Sequence, residues 1–153
     1  MEWKGKYFTL EELTSSPTAR RLKIDNTPSP KVVANLQALV AHVLDPLRVM
    51  WGSPIIVTSG YRCALLNKAV GGASQSQHVL GQAADIRTVS DSRDDNLALL
   101  RCLVKAGLPF DKLISEYADS KHRPDWIHVS YSSLLRGLTF TCRGGNYIKG
   151  IRL

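Results

Sequence analysis

The sequence predicts an α+β fold, one domain over residues 1–153 with N-terminal helices packed on a small, mainly antiparallel sheet. Three observations carry this reading. Helix patterns fill the first third of the chain. Short β-branched runs bounded by turn residues then alternate with further helices. A length of 153 residues with 44% apolar side chains suits a single core. No linker, internal repeat or low-complexity tract divides the chain, and its motif-bearing part lies at about 53–131.

Thr9 followed by Glu12 forms a capping box that opens a short helix near 10–15. "DNTPSP" (25–30) is dense in turn residues and reads as a loop. Ser29 and Pro30 then suit the N-cap and first position of a long helix. In it Val33, Leu36, Val40, Val43, Leu44 and Leu47 recur mostly at three- and four-residue steps, to an end near Arg48. "SPIIVTSGY" (53–61) reads as a strand, and "ALLNKAV" (64–70) as a short helix stopped by Gly71 and Gly72. "AADIRTV" (83–89) is a second strand. Residues 91–107 form a second long helix, with acids at its start and Lys105 in its last turn. "DKLISEY" (111–117) and "WIHVSY" (126–131) are strands separated by the polar loop "ADSKHRPD". Residues 138–148 suit a hairpin turning at Gly144-Gly145-Asn146.

Composition narrows function less than the motifs do. A net charge of +7 and a pI near 9.5 favour anionic partners. The basic residues are nevertheless scattered, and no nucleic-acid-binding signature organises them. Uninterrupted apolar runs fall well short of the roughly 18 residues that cross a bilayer, so no membrane insertion is expected. "MEWKGKYFTLEEL" lacks a signal-peptide pattern, which makes the expected site of synthesis the cytoplasm. Cys63, Cys102 and Cys142 are widely spaced with no CxxC pair, and are expected to be reduced thiols.

The chemistry lies in two of the four histidines. His42 sits in the long helix and His122 in the charged loop, where surface roles are expected. In "WIHVSY", strand alternation puts Ile127, Val129 and Tyr131 on one face and Trp126, His128 and Ser130 on the other. In "AADIRTV", Ile86 faces the core, so Asp85 faces away from it. If the two strands are neighbours, Asp85 and His128 share a face, and His78 can join them from the Gly-rich approach. Two imidazoles and a carboxylate suit a zinc ion with one open position for water. Each piece alone also has a bland reading as a structural or surface residue. Asp125 could supply a base, provided that Pro124 breaks the alternation that would otherwise turn it away. Arg62, leaving the first strand, could hold a carboxylate or an oxyanion.

Together, "SGYRCALLN" (59–67), "SQHVLGQAADI" (76–86, fitting S-x-H-x-x-G-x-A-x-D) and "DWIHVS" (125–130) resemble the zinc peptidases named for D-alanyl-D-alanine carboxypeptidases. That family also includes phage endolysins cutting L-alanyl-D-glutamate bonds. The resemblance spans roughly 7–131 and implies the hedgehog/D-Ala-D-Ala-peptidase type of fold. It implies Zn2+ as cofactor on His78, Asp85 and His128, with Asp125 as general base and acid and Arg62 stabilising the tetrahedral intermediate. Many members carry Glu where Asp125 stands; Glu116 is an alternative acid. Ser76, Arg62 and Trp126 are implied substrate contacts. The implied activity is metallopeptidase cleavage of peptidoglycan stem peptides by a monomer, carboxypeptidase-like or of endolysin endopeptidase type. On that reading the chain acts on the cell wall once released. A non-catalytic, zinc-containing wall-binding module is the competing class.

Overall fold

The protein is described by a computed structural model covering residues 2–153. Its helices are α1 (Leu10–Thr14), α2 (Pro17–Leu22), α3 (Pro30–Leu39), α4 (Asp45–Trp51), α5 (Ala64–Ala69) and α6 (Arg93–Lys105). Its strands are β1 (Ile55–Ser59), β2 (Ala83–Thr88), β3 (Lys112–Glu116), β4 (Trp126–Ser130), β5 (Leu138–Arg143) and β6 (Asn146–Lys149). They form one sheet in the order β1-β2-β4-β3-β5-β6, antiparallel except where β5 runs parallel to β3. The expected α+β class with a mainly antiparallel sheet is what the molecule has.

Helix starts follow their sequence signals. Thr9 and Glu12 make the reciprocal capping box, and Ser29 caps α3 ahead of Pro30. The long helix runs three residues past its expected end near Arg48, and a π turn at Val40–Leu44 joins α3 to α4. Pro46 explains the turn. It has no N–H to give the carbonyl four residues back, and the widened turn absorbs the ring. From Pro30 to Trp51 this stretch is long and apolar enough to cross a bilayer by length and composition, although no uninterrupted apolar run suggested it. Its stripe of Leu36, Leu39, Val40, Val43, Leu44 and Leu47 is instead buried in the core. Opposite that stripe lie Ala84, Ile86, Leu113, Ile127 and Val129 of the sheet, with Leu97, Leu99, Leu100 and Leu103 of α6.

Alternation leaves the other sheet face to Asp85, Lys112, Ile114, Glu116, Trp126 and His128. Register fixes their neighbours: Asp85 stands beside His128, Ile114 beside His128 on the other side, and Glu116 beside Trp126. One face therefore holds the structure together and the other carries chemistry.

One buried carboxylate braces the rim of that second face. The carboxylate of Asp111, fully buried, accepts from the Arg136 backbone N–H, Nε and Nη2, and from Gln77 Nε2 at 2.9 Å. The hydrogen bonds from Arg136 hold its carboxyl well below the usual carboxylate range, against the effect of burial. Because the folded pKa is depressed, this stabilisation is present above about pH 4 and is lost as pH falls below the unfolded value. Asp111→Asn should cost about 2 kcal/mol, roughly 4–8 °C in Tm at neutral pH, with the difference from wild type shrinking in acid. Thermal melts at pH 7 and pH 3 check both parts; an equal difference at the two pH values would contradict the assignment.

Candidate metal centre

The centre is assembled from three separate pieces of chain. Strand β1 pairs with β2 through a register shift between Val57 and Ser59, which brings Ser59 beside Asp85 just before Gly60. Gly60 is glycine for a steric reason: a Cβ there would collide with the carbonyl of Leu13 at the end of α1. The next residue, Tyr61, donates its N–H to that same carbonyl at 2.7 Å. The Gly60 carbonyl is left pointing at His78, whose Nδ1 lies 2.7 Å away. A tight helical turn at Gln77–Leu80 carries His78, and Ser76 caps it by accepting from the His78 N–H. Gly81, in the left-handed conformation (φ 72°), ends the turn against Val32 and Leu36, where a side chain would not fit.

His78 and His128 are buried, and both rings converge on one oxygen. His78 Nε2 is 3.3 Å and His128 Nδ1 is 3.2 Å from Oδ1 of Asp85. The rings meet edge to face with centroids 5.1 Å apart. All three donor atoms lie within 4.8 Å of one another, and this is the metal-competent group found among the described residues. Burial pushes the Asp85 carboxyl up, but hydrogen bonds and charge from His128 and His78 more than reverse this and hold it well below its ordinary range. Burial pushes His128 down, against the pull of Asp85. An ionised carboxylate beside a neutral imidazole is the protonation state that a divalent cation needs. The Gly60 carbonyl accepts the His78 Nδ1 proton and so frees Nε2 as a lone-pair donor. Two nitrogens and one oxygen suit zinc.

The sequence reading placed His78, Asp85 and His128 in one group, and the structure brings them together. Arg62 and Trp126 line the same cleft, as does Ser76, which also caps the His78 turn. Arg62 donates its backbone N–H to the His78 carbonyl, and its buried Nε has no protein partner among the described residues. Trp126 stacks on Tyr117, with centroids 5.2 Å apart.

Asp125 does not join them. It is exposed, outside the lining of the cleft, and donates its backbone N–H to the Glu116 carbonyl at 2.9 Å from a bend just ahead of β4. Its own carbonyl accepts from buried Asn96 of α6. The chain does bend at Asp125, ahead of β4, as the expected break at Pro124 required, but the residue stays outside the lining of the cleft.

Glu116, the alternative acid, does line the cleft. It is 6% exposed and sits one alternation step from Ile114, the residue beside His128. Burial, then the charge of Asp85, pushes its carboxyl up to about 7. Tyr147 of β6 donates its hydroxyl to Glu116 Oε2 at 3.4 Å, and Phe140 of β5 lines the cleft nearby. The signal for Glu116 was present in the sequence: in "DKLISEY" it shares parity with Ile114 and Lys112 on the face away from Leu113.

A family model described as Peptidase M15 matches residues 6–130, most of the chain and all of these residues except Phe140 and Tyr147. The chain belongs to the peptidase M15 family. Membership makes this M15 chain a metallopeptidase by descent, with a His–Asp–His group able to hold a metal ion. No curated protein matches it. The hairpin β5–β6, which walls the cleft beside Glu116, lies beyond the matched residues.

The three cysteines are free, as their spacing suggested. His42 is exposed on the helix but stacked on Tyr131, with centroids 4.5 Å apart.

Proposed function

We propose that this M15 chain is a zinc-dependent peptidase that hydrolyses amide bonds in peptidoglycan stem peptides. The observation that supports this most is a buried acid, Glu116, facing the same cleft as the His78–Asp85–His128 group. A metal held only to brace the fold needs no such acid beside it. Zinc on those three residues would supply Lewis acidity to the water and to the scissile carbonyl.

The remaining work falls to the chain's own groups. Glu116 accepts a proton from the attacking water and returns it to the leaving amine nitrogen. A carboxyl raised by burial suits both transfers near neutral pH. Arg62 lines the cleft, and its guanidinium, whose buried Nε has no partner among the described residues, can donate to the oxygen that gains charge. Burial lowers the pKa of Arg62, yet its guanidinium stays charged at any physiological pH. Trp126 and Tyr117, with Phe140 and Tyr147 across the cleft, give a peptide apolar walls and exclude water. The cleft, about 650 Å³, has room for several residues of extended peptide. The protein's net positive charge favours approach to an anionic wall.

Digestion of purified peptidoglycan, with mass spectrometry of the released ends, tests the proposal. New peptide termini within the stem are expected: free D-alanine for carboxypeptidase action, or a new N-terminal D-glutamate for endopeptidase action. Binding to the wall without any new terminus would replace this reading with a wall-binding module.

A further inference from the structure

The cleft holds a cation that the hydrolytic chemistry does not use. Lys112 opens β3 and shares the cleft-facing side with Ile114 and Glu116. Ile114 stands beside His128, so at about 3.3 Å per residue Lys112 and Glu116 lie roughly 7 Å to either side of the metal-binding group along the strand. The acid end and the cationic end of the cleft are thus opposed across the reacting bond.

Among the described residues this lysine makes no ion pair. Its neighbour Asp111 is already taken up by Arg136 and Gln77. Glu116 is four residues away at the far end of the strand. A lysine with no partner, in a partly enclosed cleft, calls for an anionic group on what binds there.

Building on the peptidase reading, we propose that Lys112 anchors a free carboxylate of the peptide substrate, one to two residues from the bond cut. The spacing sets that distance: an extended peptide advances about 3.3–3.6 Å per residue, so 7 Å corresponds to two residues, less the reach of the lysine side chain. The enzyme would then discriminate between stem peptides whose side-chain or α-carboxylates are free and those in which they are amidated. Lys112 is a specificity determinant on this account and takes no part in proton transfer.

The test uses two synthetic stem peptides that differ only in a carboxylate or carboxamide near the scissile bond, hydrolysed by the zinc-loaded full chain. Wild type is expected to prefer the acid by about 10–100-fold in kcat/KM, mostly through KM, as one charged hydrogen bond allows. Lys112→Met should collapse the acid-to-amide ratio toward about one, and Lys112→Arg should keep most of it. A wild-type ratio near one, or a ratio that survives in Lys112→Met, would overturn the proposal. If neither peptide is hydrolysed, calorimetric binding of both to zinc-loaded wild type and Lys112→Met decides. An acid preference lost only in the variant would support the anchor while the peptidase reading fails, and equal affinities in wild type would overturn the anchor as well.

Discussion

Replacing His128 or His78 by alanine should strip the protein of its metal. The wild-type chain is expected to hold about one zinc, and each variant close to none after dialysis against a weak chelator. The loss in affinity should be a hundredfold or more, since even the loss of an outer partner of a ligand costs about 10–100-fold. The geometry gives the reason. Both ring nitrogens lie within 3.3 Å of the same Asp85 oxygen, and among the described residues no further His, Cys, Asp or Glu joins the group to take over a missing lone pair. His42→Ala, on the exposed side of the long helix, should keep full occupancy. Zinc content by elemental analysis reads the outcome, and full retention in both His78→Ala and His128→Ala would remove the assignment.

The second large effect separates two acids. Glu116→Gln should keep zinc and fold but lose roughly 10²–10⁴ in kcat, because glutamine fills the same buried space and cannot accept the proton. Asp125→Asn should stay within a few-fold of wild type, its side chain being exposed and its backbone bonds unaffected. Single-turnover rates on a stem peptide at equal zinc occupancy compare them. A large loss in Asp125→Asn with little in Glu116→Gln would return the base to position 125.

Those two acids also show where sequence reasoning held and where it failed. Strand alternation put Asp85 and His128 on one face, and the pairing of β2 with β4 carries this out residue by residue. The same rule, applied to Asp125, turned it away from the site. Only an assumed break at Pro124 kept it in. The bend forms, yet Asp125 stays outside the lining of the cleft, its backbone groups taken up by Asn96 and Glu116, a tertiary arrangement with no local signal. Glu116 obeyed the rule throughout. Capping residues fixed the helix starts, since a cap is a contact between near neighbours in the chain. The parallel pairing of β5 with β3 was not legible, because it joins segments through a loop without periodic pattern. It matters for the site: that pairing carries Phe140 and Tyr147 to the cleft from a tail in which no motif could be read. The role of Gly60 was equally hidden, set by a carbonyl forty-seven residues earlier in the chain, that of Leu13.

Titrating metal-free protein with zinc, while following hydrolysis of a defined stem peptide, tests the central claim most directly. Hydrolysis should be absent at the start, rise with added zinc, and saturate near one equivalent per chain, with His128→Ala silent throughout. Full hydrolysis by the metal-free protein, or stoichiometric zinc binding with no stem peptide cleaved, would contradict it.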